Sequence, residues 1–225
     1  FWLFNNKKII KPIEIYDIKS LKKLLEKEDV NKKFNRPDRK EIGNWCFLLH
    51  ACLYGNIEII QILLDKGADL NSKDSDLKTG LYWAACNKNF TKSNDISKYL
   101  IKLKIEINAQ AVDGRTAING AILTQNIETL KTLLLSGANP NLTCNFGDDE
   151  TPQLQSITPL FFSISVMPSE SSEFVKILLE NKADPNIPNS IGATPLFDAG
   201  GQEDALLLAG HLIEHGANIN YKMVT

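Results

Sequence analysis

The chain has 225 residues, 43% hydrophobic and 23% charged, with a formal net charge of -2. That balance excludes a global basic field for nucleic acid or anionic membranes, and no apolar run approaches the roughly 18–20 residues of a membrane-spanning helix. Four cysteines (Cys46, Cys52, Cys86, Cys144) without a C-x-x-C pair, and only three histidines, argue against a zinc site or disulfide framework and predict reduced thiols in a cytoplasmic protein.

In chain order, residues 1–31 read as a degenerate N-terminal capping segment. Phe1-Trp2-Leu3-Phe4 is too short for a signal-peptide core. The missing initiator methionine predicts a start inside a longer protein. Ile18, Leu21, Leu24 and Leu25 have helical spacing, whereas Pro12 predicts no regular helix before them.

A two-part phrase then repeats. Its first part is Cys46-Phe47-Leu48-Leu49-His50-Ala51-Cys52, then Thr79-Gly80-Leu81-Tyr82-Trp83-Ala84-Ala85, Thr116-Ala117-Ile118-Asn119-Gly120-Ala121-Ile122, Thr158-Pro159-Leu160-Phe161-Phe162-Ser163-Ile164 and Thr194-Pro195-Leu196-Phe197-Asp198-Ala199-Gly200. A threonine hydroxyl caps free backbone N–H groups and proline fits the first helical position, so each copy predicts the start of a short helix. Gly55, Asn89 and Asn126 are predicted to turn the chain into a second helix, whose apolar face in the first full unit is Ile59, Ile60, Leu63 and Leu64. The second part ends each unit, as in Leu63-Leu64-Asp65-Lys66-Gly67-Ala68-Asp69-Leu70-Asn71. Gly67, Gly137 and Gly216 are predicted to close those helices in the left-handed conformation. The closing asparagines fall at 31, 71, 108, 141, 186 and 220, in steps of 40, 37, 33, 45 and 34 residues.

The phrase and its period of about 33 residues closely resemble the ankyrin-repeat family over roughly residues 12–220. The resemblance implies an all-α solenoid of helix-turn-helix units with β-hairpin-like connecting loops. Five repeats occupy 32–220, closing near 71, 108, 141, 186 and 220, and 221–225 start a further segment. The family's usual histidine is replaced by Leu49, Tyr82, Asn119, Phe161 and Phe197, so its hydrogen bonds are absent or replaced; His50 lies one place late. The last helix, with Leu206, Leu207, Leu208 and Leu212, lacks the polar outer face of a terminal unit. The expectation is that the protein continues past Thr225 or that another surface covers this end.

The extra residues predict long loops at 32–45 and 142–157, and longer turns between helices at 90–93 and 169–171. One long loop carries Lys32, Lys33, Arg36, Arg39 and Lys40, the other Asp148-Asp149-Glu150. Both charge runs read first as solvated. Cys52 holds a small-residue packing position and is not expected to be a nucleophile. His211 and His215, one turn apart, lack a third metal ligand. Trp83 is expected to pack against a neighbouring unit.

The implied function is binding of another protein, without catalysis, cofactor or metal, and without nucleic acid; the molecule is expected to be a monomer. Ankyrin proteins bind through a concave side of hairpin tips and first helices. By position this offers Ser75, Asp76, Lys78, Val112, Asp113, Arg115, Ser190 and Ile191 on the hairpins, and Tyr54, Asn87 and Thr124 at helix ends. Phe146, in a loop with no evident core to fill, joins them. The lysine-rich composition and the repeats also resemble ankyrin modules of effectors that intracellular bacteria secrete into host cells. The alternative is the targeting domain of an enzyme whose catalytic part lies outside residues 1–225.

Overall fold

The computed structural model describes residues 10–36, 42–146, 150–166, 171–202 and 204–222. They fall into two compact units, Phe1–Val112 and Asp113–Thr225. Among the described residues the regular structure is helical, and extended segments pair only at three isolated antiparallel bridges, Phe34 with Trp45, Lys73 with Thr79 and Cys144 with Ile157.

The first unit contains α1 (Ile18–Leu25), α2 (Phe47–Tyr54), α3 (Ile57–Asp65), α4 (Gly80–Ala85) and α5 (Phe90–Lys102). Residues 10–14 are also helical, contrary to the expectation from Pro12. Proline lacks only an N–H, which the first turn of a helix does not need, and the Pro12 carbonyl accepts from the Asp17 N–H at 2.9 Å. Every residue of α2 from Phe47 to Leu53 is buried, because this helix packs against both α3 and α4. The close approach of α2 and α4 depends on small residues: a Cβ on Gly80 would stand 3.0 Å from the Cys52 sulfur.

The second unit contains α6 (Ala117–Leu123), α7 (Ile127–Leu135), α8 (Pro159–Val166), α9 (Ser171–Glu180), α10 (Pro195–Ala199) and α11 (Ala205–Glu214), with a 3-10 turn at Pro152–Leu154. Helix α8 packs on α6, α9 and α10, and α9 packs on α7 and α11. Its core is Phe161, Phe162, Phe174, Leu178, Leu160 and Ile164.

Asparagine starts three of the second helices, α3, α5 and α7. Asn56, Asn89 and Asn126 accept from the backbone N–H groups of Ile59, Lys92 and Thr129. The cap at Asn89 changes the reading of 90–93: these residues form the first turn of the 13-residue α5 and do not lengthen the turn before it. Gly67, Gly137 and Gly216 take φ of 87, 93 and 89°, and Lys182 takes the same place at 68° despite its side chain. Residues 169 and 170 of the second expected insertion lie outside the described residues.

The closing asparagines tie consecutive repeats together. Asn31 donates to the Gly67 carbonyl at 2.9 Å and accepts from the Asp69 N–H at 2.8 Å. Asn141 makes the same pair of bonds to Lys182 and Asp184, and Asn186 to Gly216 and Asn218. This recurring polar position is a bridge as well as the end of a phrase.

Candidate partner-binding surface

The connections between repeats are locked at their tips by backbone bonds. The Ser75 N–H donates to the Gly43 carbonyl and the Val112 N–H to that of Asp76; in the second unit Asn145 donates to Asp113 and Ser190 to Gln155. Each tip therefore holds the next, and side chains between these bonds project from an ordered backbone.

In the first unit the tip 74–78 is organised by Asp74. This residue is 2% exposed, and its carboxylate accepts from the N–H groups of Asp76 and Lys78 and from the Trp83 indole N–H at 2.9 Å. Burial pushes this carboxyl above its ordinary range, against the opposing pull of these donors and of the Lys78 charge. Lys78 is itself buried, with its ammonium 2.7 Å from Asp76. Ser75 is exposed, and its hydroxyl accepts from the Gly43 N–H. Leu77 and Val112 point outward, Val112 at 71% exposure. Asn87 is buried, where its side chain accepts from the Asn89 N–H.

Tyr54 does not stand alone as an anchor. Arg36, from the long loop, is buried and spreads its guanidinium over Trp83 at 4.6 Å, Trp45 at 5.0 Å and Tyr54 at 6.0 Å from the ring centroids. It donates to the Tyr54 hydroxyl at 3.0 Å. The Trp45 indole N–H donates to Nδ1 of buried His50, whose Nε2 faces Glu14 at 3.4 Å. An accepting Nδ1 leaves the neutral ring's proton on Nε2. Trp83 thus packs as expected, and part of the basic loop, read as solvated, is built into an aromatic cluster. Arg39 and Lys40 lie outside the described residues.

Arg36→Ala should cost about 2–3 kcal/mol, since a desolvated cation over aromatic faces is worth about 2 kcal/mol or more. Arg36→Lys should recover only part of this, because an ammonium lacks the planar face. Urea titration followed by tryptophan fluorescence checks both; an unchanged midpoint in Arg36→Ala would remove the cluster's energetic role.

In the second unit Asp113 and Arg115 pair across the tip, with Arg115 Nε 2.7 Å from the carboxylate. A Cβ at Gly114, where φ is 81°, would meet the Thr143 carbonyl at 2.6 Å, so this turn accepts glycine only. Phe146 has a core to fill after all. Its ring meets buried Phe162 edge-on at 5.1 Å, and Arg115 lies over it at 5.8 Å. Asp148 and Asp149 lie outside the described residues. The Thr124 hydroxyl donates back to the Gly120 carbonyl, and Ser190 donates to the Pro152 carbonyl at 2.5 Å. Ile191 is exposed.

The family histidine's bonds are replaced at one position: the Asn119 side-chain oxygen accepts from the Thr116 N–H at 2.9 Å, and its amide reaches the Cys144 sulfur at 3.5 Å. The Cys144 thiol is pushed up to about 12, by burial first and the Asp113 charge second. Burial pushes the Cys52 thiol higher still, with Cys46 adding to it. Neither has the thiolate character of a nucleophile. His215 Nδ1 lies 2.9 Å from the His211 carbonyl. Among the described residues no group of three or more His, Cys, Asp or Glu could hold a metal, and no helix is long and apolar enough to cross a membrane. Sequence reasoning missed Arg36 and Asp74. The recurring asparagine was visible, but its bridging role was not.

The family model for ankyrin repeats, in three copies, matches residues 13–111. Two putative ankyrin repeat proteins of fowlpox virus are 30% and 33% identical over 74% and 72% of this chain, which spans 47% and 31% of their lengths. Serine/threonine-protein kinase 12 of Arabidopsis thaliana is 34% identical over 45% of this chain and 21% of its own length. The chain thus spans less than half of each of these relatives. Among solved structures, the ankyrin repeat domain of Bcl-3 matches with a TM-score of 0.74 at 19% identity, covering 96% of this chain and 89% of that one. An ankyrin repeat domain from Acinetobacter baumannii matches at 0.73 and 23% identity, covering 95% of this chain and all of that one.

Proposed function

Because the chain is an ankyrin-repeat protein, we propose that it binds a partner protein through the hairpin tips and first-helix ends of its repeats. Ankyrin repeats generally mediate protein–protein interaction on a scaffold that is not catalytic. The observation that carries the reading is the exposure of apolar side chains on bonded backbone: Leu77 at 48%, Val112 at 71% and Ile191 at 41%. Such groups lose little conformational entropy on binding, and their burial supplies most of the affinity. In the first unit Ser75 and Asp76 lie beside these apolar groups and Tyr54 contributes its exposed edge; in the second unit the Asp113–Arg115 pair supplies polar groups. Lys78 and Asn87 in the first unit, and Phe146 and Thr124 in the second, join the reading as residues that hold their own loops and helix ends in place.

The kinase relative, matched over a fifth of its length, favours a module working within a longer protein, with any catalysis elsewhere. The viral relatives favour a partner in a host cell.

The test is a pull-down from eukaryotic lysate with quantitative mass spectrometry, using the unaltered chain, Val112→Asp with Ile191→Asp, and Glu58→Ala on the exposed side of α3 as control. Exposed substitutions of this kind leave stability within about 0.5 kcal/mol. The expected result is a protein retained by the unaltered chain and the control but lost at least tenfold from the double variant. Equal recovery by all three would overturn the proposed face.

A further inference from the structure

The net charge of -2 combines two opposed halves. Residues 1–112 hold 20 lysines and arginines against 14 aspartates and glutamates, a net of +6; residues 113–225 hold 5 against 13, a net of -8. A total near zero therefore conceals a basic first unit.

Exposed apolar side chains are concentrated on one edge of that unit. Of the eight large hydrophobics exposed among its described residues, five lie within three residues of the start of α1, α3 or α5: Ile15, Tyr16, Tyr54, Ile57 and Phe90. Contacts join these turns across the repeats. The Tyr16 hydroxyl donates to the Tyr54 carbonyl at 3.1 Å. The Lys92 ammonium lies 4.0 Å from the centroid of the Tyr16 ring and donates to its hydroxyl. Tyr16 holds a φ of 57°, a backbone conformation costly for a bulky residue, and its ring stays exposed.

Lysines border this belt. Lys11, Lys19 and Lys88 are exposed within four residues of Ile15, Tyr16 and Phe90 respectively. Of the carboxylates beside it, Glu14 faces the His50 imidazole and Asp17 accepts from the Ser20 N–H, while Glu58 is exposed. The apolar side chains project from turns and helix starts, a form that a fluid interface covers without a complementary pocket. Tyrosine and lysine suit such an interface, since each carries an apolar body with a polar end.

We propose that this edge docks the protein peripherally on an anionic lipid surface. Ile15, Tyr16 and Phe90 enter the interfacial region, and Lys11, Lys19, Lys88 and Lys92 meet the headgroup phosphates. A negative surface attracts the first unit and repels the second, which makes this edge the docking side. The site is separate from the hairpin tips and does not depend on the protein partner proposed above.

The test is co-sedimentation of the full 225-residue chain with vesicles of phosphatidylcholine, either alone or with about one-third phosphatidylserine. The chain should sediment with the anionic vesicles and stay in solution with the neutral ones. Raising salt from about 0.1 M to about 0.5 M should release most of it. Ile15→Asp with Phe90→Asp should lower partitioning roughly tenfold or more. Leu77→Asp with Val112→Asp places the same charge at the tips and should change partitioning far less. Lys11→Ser with Lys88→Ser, which leaves every apolar residue in place, should also weaken binding. The proposal is overturned if the unaltered chain ignores anionic vesicles, if it binds neutral ones equally, or if both aspartate pairs cost the same. A chain that ignores both kinds of vesicle, but loses a captured protein on Ile15→Asp with Phe90→Asp, would assign the belt to a protein partner instead.

Discussion

Trp45→Ala is expected to destabilise the first unit by about 3–5 kcal/mol, the range for truncating a large buried aromatic. Trp45 is fully buried. Its ring meets Trp83 edge-on at 5.1 Å and lies beneath the Arg36 guanidinium, and its indole N–H bonds His50. Its backbone pairs with Phe34 in both directions, which anchors the start of the long loop. One truncation therefore opens a cavity, strips the guanidinium of a face and orphans a buried imidazole nitrogen. Against a total stability of about 5–15 kcal/mol for a domain, that is a large fraction of the margin. Trp45→Phe keeps much of the packing but not the donor, and should cost about 1–3 kcal/mol for the unsatisfied buried acceptor. Urea unfolding by far-UV circular dichroism checks the order. Equal costs for the two variants would mean that the hydrogen bond, rather than the packing, dominates.

Phe162→Ala should be of similar size in the second unit, about 3–5 kcal/mol. Phe162 is fully buried in α8, the helix that packs on α6, α9 and α10. The partner ring is the informative comparison. Phe146 is half-buried, and edge-to-face pairs contribute about 0.5–1.5 kcal/mol beyond area. Phe146→Ala should therefore cost about 1–2 kcal/mol, clearly less than Phe162→Ala. The tryptophans at 45 and 83 lie in the first unit, and the second unit's sequence contains none, so dichroism rather than fluorescence should carry the change. A loss below about 1 kcal/mol in Phe162→Ala would contradict the packing of α8.

The repeat pattern was legible because it is local chemistry. A threonine at a helix start, an asparagine at the next and a glycine with φ near 90° act within a few residues, so their spacing along the chain is their spacing in the fold. Reasoning from local propensity also had characteristic failures. Local propensity makes Pro12 a helix breaker, although the first turn of a helix tolerates it. The period alone makes residues 90–93 a longer turn, whereas the Asn89 cap starts a longer helix with them.

The candidate surface was less legible. Its positions followed from the repeat register, but what each side chain does there depends on neighbours distant in sequence. Arg36 and Trp83 lie 47 residues apart, and nothing in the loop's basic composition marks one of its charges as buried against three rings. Phe146 seemed to lack a core because its partner, Phe162, arrives from the following helix. The sequence by itself determined the fold class, the order of the helices and the unusually apolar last helix, all of which rest on periodicity and capping. Only the tertiary structure decided which side chains remain available to a partner, because exposure and pairing are set by the elements that stack on a residue, and stacking is not encoded at any single position.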